Sequence, residues 1–192
     1  SLFGDKMNKI KKTLYATAAA AVLFTSGYKV GEADVNNRVL GIDEIIQLDS
    51  GQRTLPFYSS FELKNLMCAK YARLAAKEIF NLDYIRDHAW NFNKNNKVTH
   101  SIDNFTSLEN LIDSAGVSPG DIIGTYNPHS SYNDKLDDQG KKIEYTHLLL
   151  YFGNMNQEPL FAHFYGSETL LETIPQLKKR GLSPREVIVP KP

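Results

Sequence analysis

The stretch THLLLYFG at residues 146–153 decides the fold, because it is an apolar run that begins with a histidine and ends at a glycine. A run of this length between polar segments predicts a β-strand, which we place at residues 145–152. A second apolar run, LFAHFY at residues 160–165, follows the turn-forming segment 153–159, and an earlier strand is predicted at residues 122–126 after the turn sequence SPGD. The three strands predict an antiparallel meander.

Helices are predicted both before and after these strands in the sequence. Apolar residues recur at three- and four-residue steps over residues 63–82, which predicts an amphipathic helix with Cys68 in its first turns. A second helix is predicted at residues 108–115, where Thr106 and Glu109 have capping-box spacing, and a third at residues 168–180. The predicted fold class is α+β, with the N-terminal helix carrying the cysteine packed on an antiparallel sheet.

The first 33 residues differ in composition from the rest of the chain. The basic segment MNKIKK at residues 7–12 precedes an apolar, alanine-rich segment at 14–24, which is typical of an export signal. Residues 1–6 are interpreted as additional to the natural start at Met7. An uncleaved anchor and an ordinary helix remain alternatives. The expected location is periplasmic, cell-envelope or extracellular, and residues 34–192 are predicted to form a single domain.

The composition excludes several classes of function. The chain has 22 basic and 22 acidic side chains, and this balance argues against a nucleic-acid partner. Its single cysteine cannot form an internal disulfide or a cysteine-rich zinc site, and its five histidines are scattered. No metal or organic cofactor is predicted. The oligomeric state is left open, and a membrane partner is expected only through the N-terminal segment.

Cys68 is the first candidate functional residue. A thiol at a helix N-terminus meets unpaired backbone N–H groups and the positive end of the helix dipole, and both favour the thiolate. Cys68 is therefore a candidate nucleophile. The alternative interpretation is a small buried apolar residue, which is a common role for a free cysteine.

Two histidines on successive predicted strands are candidate partners for the thiol. His147 opens the strand at 145–152 and His163 lies late in the strand at 160–165, so a hairpin brings the two roughly opposite each other. A histidine beside a thiol acts as general base and then as general acid, and a further polar group orients it. Each histidine alone is equally compatible with a structural role. His88, His100 and His129 lie in polar segments and are predicted to be surface residues.

Four segments together resemble the NlpC-type cell-wall peptidases, a papain-like superfamily. They are CAKYAR at residues 68–73, PGDII at 119–123, THLLLYFG at 146–153 and FAH at 161–163. The resemblance covers roughly residues 58–165. It implies a papain-like fold in which Cys68 is the nucleophile, His147 the base and His163 the residue that orients the base. It also suggests Tyr58 as a residue that helps to hold the oxyanion.

The function that this resemblance implies is an exported cysteine hydrolase that cleaves amide bonds in peptidoglycan peptides. Met67 and Ala69, the neighbours of Cys68, differ from the aspartate and serine that are usual in the family. The alternatives are an amidase, acyltransferase or transpeptidase on the same fold, or a non-catalytic binding or assembly protein of the envelope.

Overall fold

The computed structural model describes residues 44–58, 63, 67–133, 135–136, 139–143, 145–166 and 168–192. The export signal or anchor predicted at residues 1–33 lies outside these ranges. Within them, no helix has both the length and the apolar character that are needed to cross a membrane.

The described residues form a two-stranded sheet, a six-stranded sheet and four helices, with a short 3₁₀ turn at Ala89–Asn91 before the second helix. In chain order the elements are β1 Glu44–Leu48, β2 Gly51–Leu55, α1 Met67–Phe80, α2 Phe92–Asn95, β3 Lys97–Ser101, α3 Phe105–Asp113, β4 Ile122–Tyr126, β5 His147–Met155, β6 Glu158–Tyr165, β7 Glu168–Thr173, α4 Ile174–Lys179 and β8 Ser183–Val189.

The large sheet has the strand order β3-β8-β4-β5-β6-β7, and each neighbouring pair is antiparallel. The prediction of an α+β fold with an antiparallel sheet is confirmed, and so is the meander from β4 to β6, which β7 extends. The last strand of the chain is β8. This strand pairs with β3 on one side and β4 on the other, and its Val187 and Ile188 are fully buried.

Helices cover both faces of the large sheet. On one face, which we call the α3/α4 face, Leu149 of β5 and Phe161 of β6 join a core cluster that includes residues of α3 and α4. On the other face, the α1 face, the ring of Tyr71 lies 6.4 Å from that of Phe164. Since successive side chains of a strand point to opposite faces, odd-numbered residues of β5 and β6 near the site lie on the α3/α4 face and even-numbered residues on the α1 face.

Two predicted helices form with altered starts. The helix predicted at residues 63–82 is described as α1 from Met67 to Phe80, and its buried side is formed mainly by alanines and Tyr71. The helix predicted at residues 108–115 begins earlier, at Phe105, because Asn104 caps it by accepting a hydrogen bond from the Ser107 N–H. The capping box predicted from Thr106 to Glu109 is therefore wrong.

The prediction of a helix at residues 168–180 is wrong over the first half of this range. Residues 168–173 form strand β7, which pairs over its full length with residues 160–165 of β6. The helix α4 begins only at Ile174, where the Gln176 side chain accepts a hydrogen bond from the Thr173 N–H and Pro175 occupies the first turn. Pairing with β6 overrides the helical spacing of Leu170 and Leu171, since it buries both leucines in the sheet.

Candidate active site

His147 and His163 are brought together by the pairing of β5 and β6. The His147 Nε2 atom lies 2.9 Å from the His163 Nδ1 atom, and the two rings meet edge to face. Both side chains are on the α3/α4 face, and both residues are almost fully buried. The structure therefore places the predicted base and the predicted orienting residue in direct hydrogen-bond contact.

Glu172 extends this contact by one residue. Its Oε2 atom lies 3.0 Å from the His163 Nε2 atom. Arg180, just after α4, donates to the same carboxylate through Nε at 2.8 Å and through Nη2 at 2.6 Å. Glu172 is absent from the site residues predicted from the sequence, because its segment was predicted to be helical. The sequence does carry a signal for the strand: Pro175 and Gln176 mark a helix start after Thr173, so the residues before it belong to another element.

The Glu172 carboxylate is ionised in this setting. Burial by itself raises the pKa of a carboxyl group, but the hydrogen bonds from His163 and Arg180 outweigh burial and lower the pKa of Glu172 from 4.5 to about 2. The residue is only 3% exposed, so solvent screens these interactions weakly. Glu172 therefore presents a permanent negative charge to His163 at all ordinary pH values.

This pKa shift predicts a loss of stability in acid. A carboxyl group whose pKa is lower in the folded protein contributes stability above its unfolded pKa, and this contribution disappears as the pH falls from about 4.5 to about 2. We expect the free energy of unfolding to fall by about 3 kcal/mol more in the wild type than in Glu172→Gln over this range. Urea titrations of both proteins at pH 5, 3.5 and 2 measure the difference. Parallel curves for the two proteins would contradict the prediction.

His147 is neutral at physiological pH. Burial is the main cause that lowers its pKa well below 6.5, and the neighbouring His163 and the Arg180 charge lower it further against the opposing effect of Glu172. Because Nε2 is engaged with His163, the nitrogen that remains for proton transfer is Nδ1. A neutral imidazole with one uncommitted nitrogen can accept a proton.

Cys68 is the second residue of α1, at the N-terminal end that the sequence predicted. The backbone N–H groups of Leu148, Ala69 and Cys68 itself lie near enough to its sulfur to lower the pKa of the thiol. The Leu148 N–H is free for this role. The Tyr151 N–H points to β4, where it donates to the Asp121 carbonyl oxygen. Successive N–H groups of a strand point to opposite sides, so the Leu148 N–H, three residues earlier, points toward β6. Pairing between β5 and β6 begins only at Leu150 and Ala162, so no ladder bond uses it.

The sulfur and the His147 ring thus meet the same end of β5 from different sides. The ring lies on the α3/α4 face, whereas α1 covers the opposite face, to which the Leu148 side chain points. The sulfur lies near the backbone N–H of Leu148, the residue that directly follows His147. The structure therefore brings His147 and His163 together, but it places the sulfur and the His147 ring on opposite sides of β5.

The protonation of the thiol differs from the sequence prediction. The helix N–H groups do favour the thiolate, but desolvation by burial is the larger effect and raises the pKa of Cys68 above 9.0. The residue as a whole keeps intermediate exposure. Cys68 is therefore a neutral thiol at pH 7 and needs a base to become a nucleophile.

The reactivity of Cys68 toward iodoacetamide tests this protonation state. We expect slow alkylation at pH 7 and a rate that rises with pH through a midpoint above 9, because only the thiolate reacts. Mass spectrometry of samples quenched over time gives the rate at each pH. The control is the same protein in concentrated urea, where the exposed thiol should show an ordinary midpoint near 8.5. Fast alkylation of the folded protein at pH 6 is the contrary result.

Tyr58 does not lie at the sulfur. Its hydroxyl donates to Glu78 at 2.5 Å, and its ring packs edge-on against Tyr71. Glu78 is ten residues beyond Cys68 on α1, which is about 15 Å of helix rise. The geometry gives the oxyanion role of Tyr58 no support, whereas the backbone N–H groups of Cys68 and Ala69 are beside the sulfur.

The other histidines are away from this cluster. His88 and His129 are exposed, and the His88 ring stacks on Trp90 at 4.4 Å. His100, which was predicted to be a surface residue, is half-buried on β3. Among the described residues, no three His, Cys, Asp or Glu side chains are grouped so that they could hold a metal ion.

A cleft of about 500 Å³ opens near the same end of the sheet. It is lined by Tyr126, Lys142, Ile143 and Arg185. Tyr126 directly follows Thr125, which pairs with His147 across the sheet. The cleft is therefore close in the fold to the strand end that carries His147.

No model of a protein family, no curated protein and no solved structure matches this chain.

Proposed function

We propose that this protein is an exported cysteine hydrolase of papain-like fold, related to the NlpC-type peptidases, that cleaves amide bonds in peptidoglycan peptides. The observation that carries the proposal is the buried row of His147, His163 and Glu172, which ends at the strand position next to the Cys68 sulfur. A buried row of two imidazoles and a carboxylate is costly to desolvate, and its value lies in orienting a base.

The neutral states of the thiol and the imidazole define the chemical steps. Cys68 Sγ attacks the amide carbonyl carbon while its proton passes to His147 Nδ1. The backbone N–H groups of Cys68 and Ala69 face the developing oxyanion. As the C–N bond breaks, the imidazolium returns the proton to the leaving amine, and a thioester remains on Cys68. Water, activated by His147, then hydrolyses the thioester and releases the acid.

The substrate class and the location rest on the sequence. The resemblance of the segments around Cys68, His147 and His163 to the NlpC-type peptidases supports a cell-wall peptide as substrate. The basic and apolar segments of the first 33 residues support export to the envelope, where such a peptide is found. The cleft beside Tyr126 is a suitable entry for a peptide chain.

Digestion of purified peptidoglycan by the wild type and by Cys68→Ala, followed by fragment analysis, tests the proposal. We expect new peptide fragments only with the wild type. Equal digests from the two proteins would end the proposal. If a thioester forms with another substrate, mass spectrometry of the trapped acyl-enzyme identifies an amidase, acyltransferase or transpeptidase on the same fold.

One observation favours a second candidate, a non-catalytic envelope-binding or assembly protein. The thiol is desolvated, and α1 carries it on the face opposite to His147. In a non-catalytic protein, Cys68 would pack as a small apolar residue and the buried polar row would serve only the fold. No acyl-enzyme would then form with an activated ester, whereas the hydrolase is expected to form one.

A further inference from the structure

We propose that Glu172, held in place by Arg180, is a positioning residue that fixes the tautomers of both histidines, so that His147 presents an unprotonated Nδ1 as the base. This inference rests on the proposed function, in which His147 takes the thiol proton, and it extends the active site by two residues beyond Cys68, His147 and His163.

We take both rings as neutral, and the row of hydrogen bonds then has only one consistent assignment, whereas an imidazolium at His163 would donate from both nitrogens and reverse the His147 tautomer. The ionised Glu172 carboxylate is an acceptor only, so the His163 Nε2 atom must carry the proton and donate it. His163 Nδ1 is then an acceptor, and the His147 Nε2 atom must donate to it. A neutral imidazole holds one ring proton, so His147 Nδ1 is left with a lone pair. The carboxylate thus determines the state of an atom two rings away.

Arg180 keeps the carboxylate in place. Its guanidinium donates to both oxygens of Glu172 through Nε, at 2.8 Å each, and to Oε1 also through Nη2. The planar fork fixes the direction of the carboxylate, which leaves one side of Oε2 for His163. The guanidinium also lies 4.9 Å from the centre of the Tyr165 ring, and this ring packs edge-on against both imidazoles.

Arg180 also determines what an amide would do in place of the carboxylate. In Glu172→Gln, Arg180 has only donors to offer, so it selects the amide oxygen. The amide NH₂ group then faces His163 Nε2, which must become an acceptor. His163 would carry its proton on Nδ1 and donate it to His147 Nε2. The His147 proton would move to Nδ1, and the base would lose the lone pair that it needs.

Long-range ¹H–¹⁵N NMR of the full chain labelled at histidine tests the assignment without any substrate. We expect protonated Nε2 and unprotonated Nδ1 for both His147 and His163 in the wild type. Glu172→Gln should reverse both tautomers, while Arg180→Gln, which keeps the carboxylate, should leave them unchanged. A wild type with Nδ1 protonated in His163, or a Glu172→Gln protein with unchanged tautomers, overturns the inference.

Hydrolysis gives an independent readout. We expect Glu172→Gln to lower kcat by about 10³- to 10⁴-fold with little change in KM, as happens when the carboxylate of a triad becomes an amide. Glu172→Asp should recover part of the loss, and the matched control Glu158→Gln, at an exposed position of β6, should retain full activity. A full-activity Glu172→Gln protein overturns the inference. If the wild type shows the expected tautomers but hydrolyses nothing, the proposed function fails and the tautomer assignment stands.

Discussion

Cys68→Ser is expected to lower kcat/KM for peptidoglycan peptides by at least about 10⁴-fold, because loss of the nucleophile in a cooperating set removes nearly all of its contribution. Serine differs from cysteine by one atom, so α1 and its packing on β5 and β6 should be unchanged. An alcohol is much less acidic than a thiol, and the same burial that raises the Cys68 pKa also disfavours an alkoxide. Release of soluble peptide fragments, followed by chromatography, measures the loss.

A matched control separates loss of the nucleophile from loss of the fold. Ser114→Ala removes an exposed hydroxyl at the end of α3, away from the strand end that carries His147. This variant should digest peptidoglycan like the wild type, and both variants should have wild-type thermal unfolding midpoints. Full activity of the folded Cys68→Ser protein would show that a group other than Cys68 performs the hydrolysis.

His147→Gln is expected to lower kcat by about 10²- to 10⁴-fold, because general acid–base catalysis contributes by this amount. Glutamine keeps a side-chain group that can bond to His163 Nδ1, so the buried position stays partly satisfied. What it lacks is a group that accepts the thiol proton and returns it to the leaving amine. Since the thiol is neutral at pH 7, the loss should be largest at and below neutral pH, and raising the pH should recover part of the rate.

His129→Gln is the matched control for this variant, since His129 is exposed and lies in the segment after β4. We expect it to retain wild-type activity at every pH. A His147→Gln protein that matches His129→Gln in rate would remove His147 from the mechanism and favour the non-catalytic interpretation.

The sequence predicted those parts of the fold in which local pattern and tertiary environment agree. Strand β4 has the predicted bounds, which follow from an apolar run between a turn and a polar segment. The apolar periodicity of α1 also corresponds to the face that the helix buries. It missed β3 and β7, whose residues lack a clear alternating pattern. Lys97–Ser101 is largely exposed, and it is a strand because it pairs with β8, which follows it by more than 80 residues. Such a long-range pairing leaves little trace in a short window of sequence.

The candidate site was likewise predicted only in part from the sequence. Cys68, His147 and His163 were found from residue type and position, because chemistry restricts which side chains can attack and which can carry a proton. Glu172 was missed, although it bonds directly to His163, because its role depends on the pairing of β7 with β6. The direction of the Cys68 pKa shift was also missed, since the pattern shows the helix terminus but not the atoms that bury the sulfur.

The amino-acid order by itself determined the α+β class, the meander and the three chemically competent side chains, because hydrophobic periodicity and functional groups are local properties of the chain. Only the tertiary structure decided which groups touch. It set His147 against His163, added Glu172 and Arg180 behind them, and placed the sulfur at the Leu148 N–H on the far side of β5. Burial and strand register are the physical reasons, since both depend on residues that are distant in sequence.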